Sequence, residues 1–116
     1  MATTSSSILT SVKKALGIDE SFVNFDVDII MHINSVFNIL NQLGVGPDGG
    51  YSIADKTTLW SDYIPSTELN LFNMVQSYMY MKVRLYFDPP TSGVQMEALQ
   101  KQISELEWRL NVQAEE

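Results

Sequence analysis

One histidine and a nearby aspartate are the residues of this sequence best placed for catalysis or metal binding. His32 is the only histidine among 116 residues, and Asp28 precedes it by four positions, so both side chains would share one face of a helix. A general base or a metal ligand is conceivable for such a pair. The sequence offers no cysteine and no second histidine to complete a metal site. We therefore interpret His32 as a histidine at the margin of an apolar helix face, and we predict no catalytic residue, metal or cofactor.

Two other patterns have the composition of a functional site without its spacing. The loop from Gly46 to Gly50 is glycine-rich, but it lacks the lysine of a phosphate-binding loop and contains Asp48, which repels phosphate. Glu105 and Glu107 stand two residues apart, so they point to different sides of a helix and cannot work as a pair. We interpret the first pattern as a turn and the second as a solvent-exposed face.

Composition excludes several classes of function. The chain has 7 Lys and Arg residues against 14 Asp and Glu residues, for a formal net charge of −7. Only Lys13 and Lys14 are adjacent, so a basic surface for nucleic acid is missing. The N-terminus lacks the features of a signal peptide, and no apolar run approaches the roughly 18 residues of a membrane span. We expect a protein made in the cytosol, without disulfides and without a membrane partner.

The spacing of apolar residues predicts an all-α fold in a single domain over residues 1–116, a small bundle of about four helices. Residues 1–7 are small and polar, which indicates a flexible N-terminus. A long glycine-rich loop from Gly44 separates the second helix from the third. Within it, Tyr51 to Ile53 reads as a short extended segment and residues 55–62 as a turn with Trp60 as an apolar plug. The predicted helices cover about 8–16, 26–43, 68–87 and 93–112.

Several residues indicate where these helices begin and end. Gly17 suits the left-handed position after the first helix. Ser66 or Thr67 is expected to cap the third helix, and Ser92 with Gln95 forms a capping-box pattern at the start of the fourth.

The last two helices carry more apolar surface than one small domain needs. The third is apolar almost all round and rich in Tyr and Met, which is typical either of a core helix or of an interface. The fourth has a narrow apolar seam, and Trp108 points about 180° away from it beside Val112 and near Val94. Trp108 therefore either folds onto its own loop near Trp60 or Tyr63, or anchors a neighbouring subunit. The candidate interface residues are Tyr78, Met81, Tyr86, Leu99, Ile103, Leu106, Trp108 and Leu110.

The order of these elements resembles the small head–tail connector proteins of tailed bacteriophages, also called neck adaptor or head-completion proteins. The resemblance covers nearly the whole chain and rests on helix order, length and acidic character. The segments that carry it are the helix end at Leu16–Asp19, the helix end at Leu43–Gly44, the third helix from Leu69 running into Phe87–Ser92, and the final helix with Glu105–Leu110.

The resemblance implies a homo-oligomeric ring beneath the phage portal, in the neck of the virion, assembled in the host cytoplasm. Residues 91–116 would contact the portal, and a tail-side stopper or tail-terminator protein would bind the other end. DNA would pass through without specific binding, along an acidic wall to which Asp48, Asp55 or Asp62 could contribute. The alternative interpretation is a small non-enzymatic module, regulatory or chaperone-like, whose apolar helix grips one partner protein.

Overall fold

The computed structural model describes residues 6–64 and 68–115, and within these ranges the fold is all-α, as the sequence predicts. The described part of the chain contains one short helix beyond the four predicted. None of these helices is long and apolar enough to cross a membrane. The helices are α1 (Ile8–Ala15), α2 (Asp26–Gln42), α3 (Trp60–Tyr63), α4 (Leu69–Phe87) and α5 (Gly93–Glu115).

The N-terminal residues that the structure describes are paired with the loop before α3. The backbone of residues 6–8 exchanges hydrogen bonds with that of residues 58–60, with N···O distances of 3.0 Å. The hydroxyl of Ser7 also accepts a hydrogen bond from the Thr10 N–H at 3.2 Å and so caps α1. Of the predicted flexible N-terminus, residues 1–5 lie outside the described ranges, whereas Ser6 and Ser7 are held in place.

A buried ion pair fastens α1 to the start of α2. The side chain of Lys13 is only 3% exposed, and its Nζ lies 2.9 Å from Oδ1 of Asp26. The same Nζ donates to the backbone carbonyl of Glu20 at 3.0 Å. Removing one partner of a fully buried pair typically costs about 3–5 kcal/mol, because the other charge is left uncompensated. Asp26 is itself a quarter exposed, so the cost here should lie at or below the lower end of that range. Of the two adjacent lysines, only Lys14 therefore contributes to the protein surface.

The long loop contains a helix where the sequence indicates a turn. The chain forms the single-turn helix α3 from Trp60, whose side chain is fully buried, in agreement with its predicted role as a plug. Its Nε1–H donates to the hydroxyl of Ser11 at 2.8 Å, and its ring packs edge-on against Phe72 at 5.8 Å. Packing against α1 and α4 thus stabilises a helical turn that four residues could not maintain alone.

A side chain of α2 holds the predicted extended segment of this loop. Asn34 accepts a hydrogen bond from the Ile53 N–H at 2.8 Å and donates to the Ile53 carbonyl at 3.0 Å. The amide of Asn34 therefore satisfies both backbone groups of Ile53, much as a neighbouring strand would. This keeps Ile53 buried against the core.

The helix ends follow the predicted signals with one exception. Gly17 adopts the left-handed conformation (φ +81°), and Ser92 accepts a hydrogen bond from the Gln95 N–H at 3.4 Å. The predicted caps Ser66 and Thr67 lie outside the described residues. The exception is α5, which continues three residues past its expected end at Val112, because residues 113–115 favour helix and contain no glycine or proline.

Helix α4 is the centre of the bundle and packs against α1, α2 and α5. Tyr78 donates a hydrogen bond to Glu107 of α5, whereas the side chain of Tyr80, two residues on, lies beside Ser11 of α1. Two residues correspond to a rotation of about 200° around a helix. Helices α1 and α5 therefore lie on opposite sides of α4.

The C-terminal part of α5 is also fastened to the end of α2. The side-chain amide of Asn111 donates to the backbone carbonyl of Leu43 at 3.2 Å. A Cβ placed on Gly44 would lie 3.1 Å from that of Ala114, so the two segments are in close contact. Helix α5 is thus held at two places along its length, through Glu107 and through Asn111.

Candidate protein-binding surfaces

The eight candidate interface residues differ in how much of each side chain the chain itself covers. Only two of them leave more than a third of their surface open, Tyr86 at 39% and Trp108 at 67%. The remaining six are buried or half-buried against the core of the chain itself. The buried residues are Tyr78, Ile103 and Leu110, and the half-buried ones are Met81, Leu99 and Leu106.

Tyr78 links α4 to α5 inside the protein. Its hydroxyl donates to Oε2 of Glu107 at 2.6 Å, and Nζ of Lys82 lies 3.6 Å from the same oxygen. Burial, together with the hydrogen bond to Glu107, raises the pKa of Tyr78 well above its ordinary value of 10.0. The phenol therefore stays protonated and serves as an internal hydrogen-bond donor, with no surface left for a second subunit.

The outward side of α5 carries three exposed apolar residues. Trp108 and Val112 are one turn apart, and Val94 lies on the same side near the start of the helix. We call these three residues the outer strip. Because two-thirds of Trp108 is exposed, its ring does not fold back into the core, where Trp60 is fully buried.

A shallow groove between α4 and α5 brings two half-buried candidates together. Met81 and Leu106 line it with Met74, and its volume is about 360 Å³. An exposed ion pair, Arg109 Nη2 to Glu105 Oε1 at 2.8 Å, stands at its rim. The groove is open and shallow, so it offers contact area beside the outer strip and not an enclosed ligand site.

Tyr86 and His32 belong to an aromatic cluster at the other end of α4. The rings of His32 and Tyr86 are 5.7 Å apart, and those of His32 and Phe87 are 6.4 Å apart. Phe25 extends the cluster by packing edge-on against Phe87 at 5.3 Å and against Phe22 at 5.4 Å. His32 is half-buried at the margin of α2, as predicted, with aromatic rings as its neighbours. Residues 6–64 and 68–115 contain no group of three or more acidic or histidine side chains that could hold a metal ion.

An apolar groove on the opposite side of the molecule was missed by the sequence analysis. It lies between α1, α2 and the loop at residue 54, has a volume of about 620 Å³, and is called here the α1–α2 groove. Val27 (72% exposed) is on its rim, and Met31 (63% exposed) is one turn further along α2. Val27 and Met31 are four residues apart on the side of α2 opposite its buried apolar residues, and this spacing could have predicted an exposed apolar surface there. The apolar residues of the groove are Leu9, Val23, Val27, Ile30 and Ala54.

The acids considered for a channel wall lie on the exposed loop. Asp48, Asp55 and Asp62 are all exposed. Asp55 accepts hydrogen bonds from the hydroxyl and the N–H of Thr57, which lower the pKa of its carboxyl group. Asp62 accepts a hydrogen bond from the Leu59 N–H at 2.8 Å. Two of the three carboxylates therefore also stabilise the loop that carries them.

The fold and these surfaces define a small all-α protein with exposed apolar residues at the outer strip, at the α1–α2 groove and at the aromatic cluster. A family model described as "Phage connector protein" matches residues 8–116. The chain therefore belongs to the phage connector protein family, in agreement with the resemblance seen in the sequence. Membership supports a phage connector role for the chain in general terms. Comparisons with curated proteins and with solved structures gave no match.

Proposed function

We propose that this protein is a head–tail connector that forms a homo-oligomeric ring under the portal in the neck of the virion. The ring extends the DNA channel and joins the head to the tail. The observation that carries this proposal is the outer strip of α5. This chain belongs to the connector family, and its Trp108 is 67% exposed, as expected of an anchor at a protein interface. The partners are further copies of the chain, the portal, and a tail-side stopper or tail-terminator protein.

The charge of the protein supports a passive channel. With a net charge of −7, most surfaces of the ring repel a phosphate backbone. DNA would pass without being held, and the exposed loop with Asp48, Asp55 and Asp62 is our candidate for the lumen. Assembly of the ring onto a filled head would take place in the host cytoplasm.

Mass measurement tests the proposal. Native mass spectrometry and negative-stain electron microscopy of the protein, alone and with purified portal, should reveal a ring, or a ring that forms on the portal. A protein that stays monomeric with portal and instead binds one soluble protein at equal ratio would support the regulatory or chaperone-like alternative. Retention of short duplex DNA by the purified protein at physiological salt would contradict the passive channel.

A further inference from the structure

We propose that Trp108 of one copy docks into the α1–α2 groove of the next copy, so that two unlike surfaces form the ring interface. This inference rests on the ring function proposed above and names the surfaces that would make it. It follows from where the two surfaces lie, from their shapes, and from their polar groups.

The two surfaces face away from each other. The outer strip is on α5, and the groove is formed by α1 and α2. Tyr78 and Tyr80 show that α5 and α1 flank α4 from opposite sides. A contact between opposite sides of neighbouring copies repeats from copy to copy, and it closes into a ring when the rotation allows. If only one of the surfaces paired with itself and the other stayed free, association would stop at two copies.

The shapes of the surfaces are complementary. Trp108 projects from the outward side of α5, whereas the groove is a depression of about 620 Å³ with apolar walls from Leu9, Val23 and Ile30. An aromatic side chain buries roughly 150–250 Å² when it is fully enclosed. A specific interface needs about 800 Å² from each partner. Trp108 therefore supplies the anchor, and the exposed neighbours Val112 and Val27 supply part of the surrounding contact.

The polar groups also match. The indole N–H of Trp108 is a donor that requires an acceptor once it is buried. The groove offers the carboxylate of Glu20, and those of Asp26 and Asp55, which already bind Lys13 and Thr57, keep further lone pairs. The fully buried Trp60 shows the same requirement, because its indole N–H donates to Ser11. A second copy of the chain thus brings both the apolar ring and the donor that the groove can accept.

Crosslinking between introduced cysteines tests the arrangement, because the chain has no cysteine of its own. Val27→Cys places a thiol at the groove, and Val112→Cys places one beside Trp108. Both positions are exposed, so neither change opens the core. Labelling with a monofunctional maleimide first verifies that each thiol reacts. A bismaleimide is then applied in the presence of portal, and the products are separated by denaturing electrophoresis.

The proposal predicts three results together. The double variant gives a ladder of covalent oligomers, an equal mixture of the two single variants gives a covalent dimer, and each single variant alone gives none. Self-crosslinking of either single variant, or the absence of the mixed dimer, would overturn the proposal. Electron microscopy of the same samples keeps the two ideas separate. Rings without the mixed dimer reject only the docking arrangement, and the absence of both rejects the ring as well.

Point variants test the anchor itself. Trp108→Ala in the double-cysteine chain should weaken association by roughly 30-fold or more, as expected for an interface anchor. Gln100→Ala, at an exposed polar position of the same helix, should leave the ladder unchanged. Val23→Glu in the same double-cysteine chain should also suppress the ladder, because it places a charge among the apolar residues of the groove. Val23 is 61% exposed, so this change does not open the core. A ladder that survives Trp108→Ala and Val23→Glu would reject the proposal.

Discussion

The helices α4 and α5 lie side by side, and the sequence predicts surplus apolar surface on both. In α4 the chain itself covers most of this surface, because α1, α2 and α5 surround the helix. Tyr78 and Met79 are fully buried as a result. Helix α5 packs mainly on α4, so its outward side keeps Trp108 and Val94 exposed. Apolar residues around a helix thus predict that it needs partners, while the topology decides whether those partners belong to the same chain.

The largest expected effect separates the two sides of α5. Leu110→Ala removes a fully buried side chain and should lower the free energy of unfolding by about 2–5 kcal/mol. Val112→Ala, two residues further on the outward side, should change it by about 0.5 kcal/mol or less. Urea denaturation followed by circular dichroism measures both. Equal losses from the two variants would show that the outward side of α5 is covered as well.

The next effect concerns assembly instead of folding. Trp108→Ala should change the free energy of unfolding of the single chain by no more than about 0.5 kcal/mol, because the indole contributes little to the core. The same variant should weaken assembly by about 2 kcal/mol or more, if the indole is an interface anchor. Sedimentation velocity with and without portal gives the second quantity. A large loss of stability with unchanged assembly would reverse the roles assigned to the two sides of the helix.

A smaller effect tests the link between the two helices. Tyr78→Phe removes the hydroxyl that donates to Glu107 and should lower the free energy of unfolding by about 1–3 kcal/mol, the range for a hydrogen bond to a charged group. Glu107 is a third exposed and can regain water, so the lower end is expected. Tyr86→Phe is the matched control, since Tyr86 is exposed and lies at the aromatic cluster.

The same tyrosine gives an expected pH dependence. The pKa of Tyr78 is raised in the folded chain above its ordinary value of 10.0, so the unfolded chain loses this proton at lower pH than the folded chain does. The contribution to stability is therefore complete below pH 10.0 and declines as the pH rises further, by up to about 1.4 kcal/mol per pH unit. Burial also raises the pKa of Tyr63 and Tyr80, which adds to the decline. Tyr78→Phe should make the decline shallower in denaturation series between neutral pH and strongly alkaline pH.

The smallest effect is expected at the surface of α5. Glu105→Gln breaks an exposed i,i+4 ion pair with Arg109 and should cost only about 0.3–0.5 kcal/mol. Added salt should remove the difference between this variant and the original chain, because exposed charges are screened. If the loss instead matched that of Leu110→Ala, the rim of the α4–α5 groove would have to be part of the core.

Helical spacing in the sequence was sufficient to predict the four longer helices and the direction in which Trp108 points. These features depend on positions close in the chain, such as Trp108 and Val112, or Gly17 after the first helix. What covers a given face depends on long-range packing. The sequence pattern around Tyr78, Ile103 and Leu110 would be the same if a neighbouring subunit covered them or if the chain's own helices did. The structure shows that all three are buried inside the chain.

Two features had no local signal strong enough to predict them. Helix α3 has a single turn and forms because Trp60 is drawn between α1 and α4, which are distant in the sequence. The α1–α2 groove combines α1, the start of α2 and the loop at residue 54. The interpretation of His32, in contrast, needed only the sequence, because the sequence has no second histidine and no cysteine to complete a metal site. In the structure the imidazole lies beside the rings of Tyr86 and Phe87.

The hydrogen bond between Asn111 and Leu43 lowers the conformational entropy that α5 loses on association. A helix attached at two places cannot turn about its axis, so Trp108 points outward before any neighbour arrives. Association then loses little conformational entropy in this helix, because its shape is preorganised. In an Asn111→Ala chain the end of α5 would be less firmly attached. We therefore expect slower or weaker association, although Asn111 itself contacts no partner in the proposed arrangement.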